Sequence, residues 1–216
     1  MKIAIIGATG NVRTRLTDEA LRRGHAVTAI ARQASKLPSR DRVTTRDADV
    51  ADAKALADAV RGNDVVISTV RFLQATAAQI TDAAKTAGIK RLLVVGGAGS
   101  LYVAPGVQLI DTPEFPDMYK AEASAGRDFL NALRGESQLD WTFLSPSALF
   151  TPGERTGKFR LGKEDLLVAA DGKSWISMED YAIAMLDEIE QPKHVRERFT
   201  VGYRSEERFS RNAETD

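Results

Sequence analysis

The chain has 216 residues, 43% hydrophobic and 28% charged, the balance of a folded globular protein long enough to bury a sizeable core. Thirty basic residues match thirty acidic ones, so neither a nucleic-acid footprint nor a polybasic membrane patch is expected. The lack of cysteine excludes disulfides, thiol nucleophiles and thiolate metal sites, and the two histidines, His25 and His194, are too few for a three-histidine metal centre.

In chain order, residues 2–6 predict a first strand. A turn, Gly7-Ala8-Thr9-Gly10, follows it and opens a helix with Val12, Leu16 and Ala20 at four-residue spacing. Further strands are predicted at 26–30, 65–69, 91–95 and 141–144, with a weaker one at 42–45. Between them lie helical patterns marked by Leu56 and Val60, and by Ile80, Ala83, Ala84 and Ala87. Gly24, Gly62 and Gly88 stand where these helices should stop. Several strands are apolar at consecutive positions, as parallel strands covered on both faces are. The alternation predicts an α/β protein with a doubly wound, mostly parallel Rossmann-type sheet.

Beyond residue 145, Pro146, Pro152, Gly153, Gly157 and Gly162 interrupt the pattern. Small strands are predicted at 166–169 and 173–176. Ser177-Met178-Glu179-Asp180 reads as a capping box that opens a helix with Ala182, Met185, Leu186 and Ile189 on one face, and a last strand is predicted at 198–203. The expected organisation is one domain over 1–203, with a sheet core (1–145), a small substrate cap (146–203) on the carboxyl edge of the sheet, and a polar, frayed tail (204–216). No apolar stretch approaches the ~18 residues a membrane span needs. The N-terminal apolar run is too short for a signal-peptide core, so a cytoplasmic protein is expected.

A glycine at the end of the first strand permits a tight turn, and a second lets the backbone approach a pyrophosphate at the helix N-terminus. Gly7, Thr9, Gly10, Asn11 and Val12 are therefore candidate cofactor contacts. Arg13 stands where the third glycine of the usual spacing belongs. With Arg15 it places two cations in the first helical turn, where they either flank a bound anion or point into water. At the end of the second strand Arg32, with Ser35 and Lys36 behind it, suits a 2′-phosphate better than a ribose hydroxyl, which favours NADP over NAD; the other reading of Arg32 is a solvated loop residue. Asp49 and Val50 could bracket the adenine, although Asp49 reads equally as a helix N-cap.

These segments resemble the atypical short-chain dehydrogenase/reductases, and among them the group described as NADH-flavin reductases with an NmrA-like, single-domain NAD(P)-binding fold. The resemblance runs from Met1 to Tyr203. It rests on Gly7-Ala8-Thr9-Gly10, on Asp18-Glu19-Ala20-Leu21-Arg22-Arg23-Gly24-His25, on Val94-Val95-Gly96-Gly97-Ala98-Gly99-Ser100 with Thr112-Pro113-Glu114-Phe115-Pro116, and on Asp140-Trp141-Thr142-Phe143-Leu144-Ser145-Pro146. It implies an NAD(P)H-dependent oxidoreductase with a flavin or quinone as acceptor. Some NmrA-like proteins bind NAD(P) without catalysis, and a redox-sensing regulator is the alternative.

In a doubly wound sheet, ligands lie outside the carboxyl ends of the strands. Those ends supply Ser68, Thr69 and Val70, then Gly96, Gly97 and Ser100, then Ser145-Pro146-Ser147. The stretch 101–117 reads as a substrate-binding wall or a fixed loop. Most short-chain reductases pair a tyrosine with a lysine four residues later, but Tyr119 is followed at that spacing by Ala123. Ser100, Tyr102 and Tyr119 remain as candidate catalytic groups. Ketone reduction needs a proton donor, whereas hydride transfer to a flavin needs mainly stacking geometry, so the missing pair favours flavin or quinone acceptors over ketones and over sugar epimerisation. His25 reads as a surface turn residue, His194 as a loop residue, and Trp141 and Trp175 as packing. The pairs Asp47/Asp49 and Asp111/Glu114 carry no hydrolytic signature. A small-molecule acceptor and a monomer or homodimer complete the expectation.

Overall fold

The computed structural model describes residues 1–7 and 10–204; the predicted tail from 205 onward lies outside the described residues. The strands and helices are, in order, β1 (Lys2–Ile6), α1 (Asn11–Arg22), β2 (Ala26–Ala31), β3 (Val43–Asp47), α2 (Ala53–Val60), β4 (Val65–Ser68), α3 (Ala77–Thr86), β5 (Arg91–Val95), β6 (Tyr102–Ala104), β7 (Val107–Gln108), α4 (Asp117–Arg134), β8 (Asp140–Ser145), β9 (Leu149–Thr151), β10 (Arg160–Gly162), β11 (Trp175–Ser177), α5 (Met178–Glu190) and β12 (Glu197–Gly202).

Alternation along β1 explains the three layers. Ile3 and Ile5 pack with Leu16 and Ala20 of α1 and with Tyr181 and Met185 of α5, whereas Ala4 and Ile6 face Leu56, Ile80 and Phe129 of α2, α3 and α4. The main sheet runs β10-β12-β8-β5-β4-β1-β2-β3, parallel throughout except for β10. Gly24, Gly62 and Gly88 end α1, α2 and α3 with φ of 84°, 81° and 74°, the left-handed stop read from the sequence. Strand order reverses around β1, which lies between β2 and β4, and a crevice opens there at the carboxyl edge.

The second half departs from the expected cap. β12 pairs with β8 and β10 with β12, so both extend the main sheet, while α5 packs on α1 in the helical layer beneath it. Residues 166–169 form no strand; β9 pairs with β11 instead as a separate two-stranded ribbon. Only half of the capping box forms. Ser177 Oγ accepts from the Asp180 N–H (3.0 Å), but the Asp180 carboxylate accepts from the N–H groups of Thr156 (2.8 Å) and Gly157 (2.9 Å) and from the Tyr203 hydroxyl (2.6 Å). Among the described residues no helix is long and apolar enough to cross a membrane.

Carboxylates on α1 and α5 hold the segment 152–158 down. Gly153 N–H donates to Glu179 (2.7 Å), and Arg155 donates through Nε (2.8 Å) and Nη2 (2.9 Å) to Glu19. Glu19, with its side chain 3% exposed, also accepts from Arg23 Nε (2.9 Å). These bonds, that from Arg155 first, outweigh the cost of burial and hold its pKa down to about 2. A depressed carboxylate pKa stabilises the fold above the ordinary value of 4.5, and this contribution is lost as pH falls through about 2. Glu19→Gln should lower stability at neutral pH by about 1–3 kcal/mol and flatten the acid limb of the stability profile, measured by urea denaturation at stepped pH.

Candidate functional site

The site begins where β1 ends. Gly7 has φ of 140°, and a Cβ built on it would lie 2.0 Å from Thr69 Oγ1, so both its dihedral and the approach of β4 require glycine. Gly7 N–H donates to Ile30 O (3.1 Å), and Thr69 donates to Ile6 O from both N–H (2.7 Å) and Oγ1 (3.1 Å). Gly10 is the N-cap of α1; no side chain caps the helix, and its first turn holds no acidic residue. Its N-terminal N–H groups and positive dipole end are thus left for an anion. Thr9 lies outside the described residues. Asn11 is exposed at this end, whereas Val12 packs partly into the core.

Arg13 and Arg15 differ in role. Arg15 neither faces water nor awaits an anion, because its Nε donates to Glu179 (2.9 Å) and its Nη1 to Asn11 O (3.2 Å). Arg13 is half-buried, and its Nη1 is buried with no hydrogen-bond partner among the described residues. Burial lowers its pKa, as expected for a cation without a counter-charge. An orphaned guanidinium nitrogen beside an uncapped helix N-terminus fits a phosphate.

Beside the turn, a pocket of about 220 Å³ brings together Gly7, Arg32, Asp49, Val50 and Val70, with Ile6 and Ile30 as apolar walls. Lys36 lies on a single 3₁₀ turn, exposed and outside this lining. Asp49 is not a helix cap: Asp52 caps α2 by accepting from Ala55 N–H (2.9 Å), and Asp49 turns back to accept from Ala51 N–H (2.9 Å). Asp47 is likewise occupied, accepting from the N–H (2.8 Å) and Oγ (2.7 Å) of Ser35. Ser68 is buried at the end of β4. The residues present therefore fit a dinucleotide, with an apolar slot for a base, a cation at its rim and unpaired donors for phosphates.

A larger cleft, about 920 Å³, opens above the end of β5. Gly97 and Ser100 line its floor, α4 gives one wall with Tyr119 and Ala123, and Leu149, Phe150 and Trp175 face it from the β9–β11 ribbon. Phe72, Leu109, Phe115 and Pro116 make it largely apolar. Small residues allow the close approach: a Cβ on Gly99 would lie 2.8 Å from Ala123 Cβ, and one on Gly126 2.8 Å from Phe72 Cδ2. Gly96 sits behind this floor, where a Cβ would come within 2.4 Å of the Phe143 ring. The stretch 101–117 is less irregular than expected, forming the β6–β7 hairpin and a 3₁₀ turn (Leu109–Asp111) before contributing Leu109, Thr112, Glu114, Phe115 and Pro116 to the wall.

The candidate catalytic groups separate. Ser100 lines the cleft, and its Oγ accepts from Arg198 Nη1 (3.1 Å). Tyr119 lies at the rim, 55% exposed, with Ala123 packed on Gly99 and Lys120 paired with Asp117 (2.7 Å). Tyr102 does not join them. Its N–H donates to Glu164 O and its carbonyl accepts from Leu166 N–H, and it lines a separate shallow pocket with Pro105, Gly106 and Asp165.

His25 is buried rather than at the surface, bonded to Glu190 (2.7 Å) and to the terminal amine (3.2 Å). His194 pairs with Glu188 (2.9 Å) and stacks on Phe199. Trp141 is core, as expected, but Trp175 lines the cleft. Phe72, Trp175 and Arg198 were missed by sequence reasoning because no local motif marks them.

A family model described as NAD(P)H-binding matches residues 7–192. The chain belongs to this NAD(P)H-binding family. A solved structure from Burkholderia pseudomallei carrying the provisional name exported protein is 48% identical, with 94% of this chain and all of that one covered and a TM-score of 0.85. One from Bacteroides thetaiotaomicron, provisionally named an epimerase, is 44% identical over 94% and 96% of the two chains, TM-score 0.88. One from Streptococcus pneumoniae TIGR4, provisionally named an NADH-flavin reductase, is 36% identical over 94% and 99%, TM-score 0.81. Family membership agrees with the atypical short-chain reductase resemblance and with a nicotinamide cofactor.

Because Arg13 Nη1 is orphaned rather than exposed, Arg13→Gln should weaken NADPH binding by roughly ten- to a hundredfold in titration calorimetry. Unchanged or tighter binding would show that the arginine does not hold phosphate.

Proposed function

We propose that this protein is an NAD(P)H-dependent reductase, preferring NADPH, that reduces a flat conjugated acceptor such as a flavin or quinone. The observation that carries this reading is the largely apolar cleft of about 920 Å³ beside Gly97, on the same carboxyl edge as the glycine turn. A protein that only senses the nicotinamide redox state needs no second pocket of that size, so the cleft favours turnover over regulation.

Each part has a task in this reading. The turn at Gly7, the first residues of α1 and Arg13 would hold the phosphates; Arg32 the 2′-phosphate; Asp49, Val50 and Val70 the adenosine end. When bound, the nicotinamide supplies hydride. Phe72, Phe115 and Trp175 would give a planar ring aromatic surface to pack against, while Pro116 and Leu149 would help exclude water. Ser100 supplies a hydroxyl at the floor, and Tyr119 closes the rim without a lysine to tune it.

A planar acceptor that takes protons from water tolerates the missing tyrosine–lysine pair, whereas sugar epimerisation does not. Both pockets are lined by one chain, so a monomer or a homodimer would be competent. A cytoplasmic setting would match the supply of reduced nicotinamide; the name exported protein belongs to the Burkholderia relative.

The test is oxidation of NADPH with flavin mononucleotide, riboflavin and a naphthoquinone in turn. Turnover with at least one is expected. NADPH binding without turnover of any acceptor would overturn the reading in favour of a sensor. Arg32→Ala should weaken NADPH binding about tenfold while leaving NADH unaffected; an equal loss for both would remove Arg32 from the 2′-phosphate site.

A further inference from the structure

Arg198 of β12 is a buried cation, 3% exposed, beneath the floor of the cleft. Its Nε donates to Glu164 Oε2 (3.0 Å), and Nη2 contacts the same oxygen. The rest of the guanidinium faces the strand ends: Nη1 donates to Ser100 Oγ (3.1 Å) and Ser145 Oγ (3.3 Å), and Nη2 donates to Ser100 O (3.1 Å). Burying a charge is costly unless it is paired and fully hydrogen-bonded, and Glu164 alone would satisfy only one side of this one.

A guanidinium has donors and no acceptor, so its contact with Ser100 Oγ occupies a lone pair of the hydroxyl and leaves the hydroxyl proton to point elsewhere. Among the described residues nothing accepts that proton, and Ser100 lines the cleft. The adjacent buried cation also polarises the O–H bond in surroundings of low dielectric.

We propose that Arg198 is a positioning residue that fixes Ser100 as a hydrogen-bond donor to a carbonyl oxygen of the acceptor in the cleft. Ser100 touches the acceptor; Arg198 acts only through it. As a conjugated carbonyl takes up electrons, negative charge gathers on its oxygen, and a donor fixed in advance stabilises that charge without reorganising. This specifies the acceptor as one that presents a carbonyl oxygen to the floor beside Gly97, and it supplies an electrophilic group where the tyrosine–lysine pair is missing. The inference rests on the reductase reading but can fail separately from it.

The experiment is a double-mutant cycle on kcat for reduction of a naphthoquinone by NADPH, using Ser100→Ala, Arg198→Met and the double variant, with Arg198→Lys as the conservative change. Melting temperatures are measured alongside. Ser100→Ala is expected to lower kcat roughly ten- to a hundredfold. Arg198→Met should produce a similar loss alone but none in the Ser100→Ala background, and Arg198→Lys should recover most of the activity. Losses that simply multiply would mean that Arg198 only braces β12 against β5, and would overturn the proposal.

Should the protein turn over no acceptor, the reductase reading fails, and a second measurement tests the donor without nicotinamide. 4-Nitrophenol bound in the cleft should ionise at lower pH than free 4-nitrophenol, as read from its visible absorbance, and Ser100→Ala and Arg198→Met should each abolish the shift. Identical ionisation in all forms, or no binding, overturns the proposal.

Discussion

The tightest glycine position among the described residues lies where β1 and β4 part, with Gly7 so near Thr69 that a Cβ would fall 2.0 Å from the threonine oxygen. β1 is buried on both faces and bonded on both edges, so it cannot shift to relieve any crowding. The two strand ends are therefore drawn together, and α1 starts at the mouth of the crevice with its N–H groups uncapped. The position of the uncapped helix end follows from this contact. So does that of the pocket beside it, whose lining includes Gly7 itself.

A second level of organisation is electrostatic. The segment that follows β9 contributes little apolar surface of its own and is held by carboxylates of α1 and α5: Glu19 to Arg155, Glu179 to Gly153, Asp180 to Thr156 and Gly157. Glu179 also takes Arg15 from the first turns of α1. The helix with the uncapped N-terminus and the loops that precede the β9–β11 ribbon's second strand are thus tied through shared anions. Removing the partners of Glu19 or Asp180 would leave a buried carboxylate uncompensated, which ties the arrangement to this particular pairing.

The cleft above β5 shows how little side-chain chemistry this scaffold carries. Its walls are largely aromatic and aliphatic; of its charged lining residues, Arg127 is engaged with Asp111 and Glu122 spends its carboxylate on the N–H groups of Phe72 and Leu73, while Glu114 and Lys173 complete the set. What remains is a largely apolar cavity with the Ser100 hydroxyl among its few polar groups. Such a site suits a reaction whose reactivity arrives with the nicotinamide.

Much of this was legible in the sequence because it is local. Apolar runs set the strands, glycines ended α1, α2 and α3, and the spacing of Gly7 and Gly10 marked the turn; Arg32, Asp49, Val50 and Val70 were expected and do line one pocket. Other features depended on residues far apart in the chain, and local pattern was silent or misleading. Arg15 read as a solvated or anion-binding cation, because Glu179, 164 residues away, could not be foreseen as its partner. Tyr102 read as a candidate catalytic group, because nothing in its neighbours reveals that the backbone of 164–166 pairs with it and carries it to another pocket. The sequence by itself determined the layered α/β fold and the pocket beside the glycine turn, since strand periodicity and turn chemistry are written in adjacent residues. Only tertiary structure decided the cleft above β5 and the pairing of Arg198 with Ser100, 98 residues apart, since a cavity and a buried charge exist only once distant segments close around them.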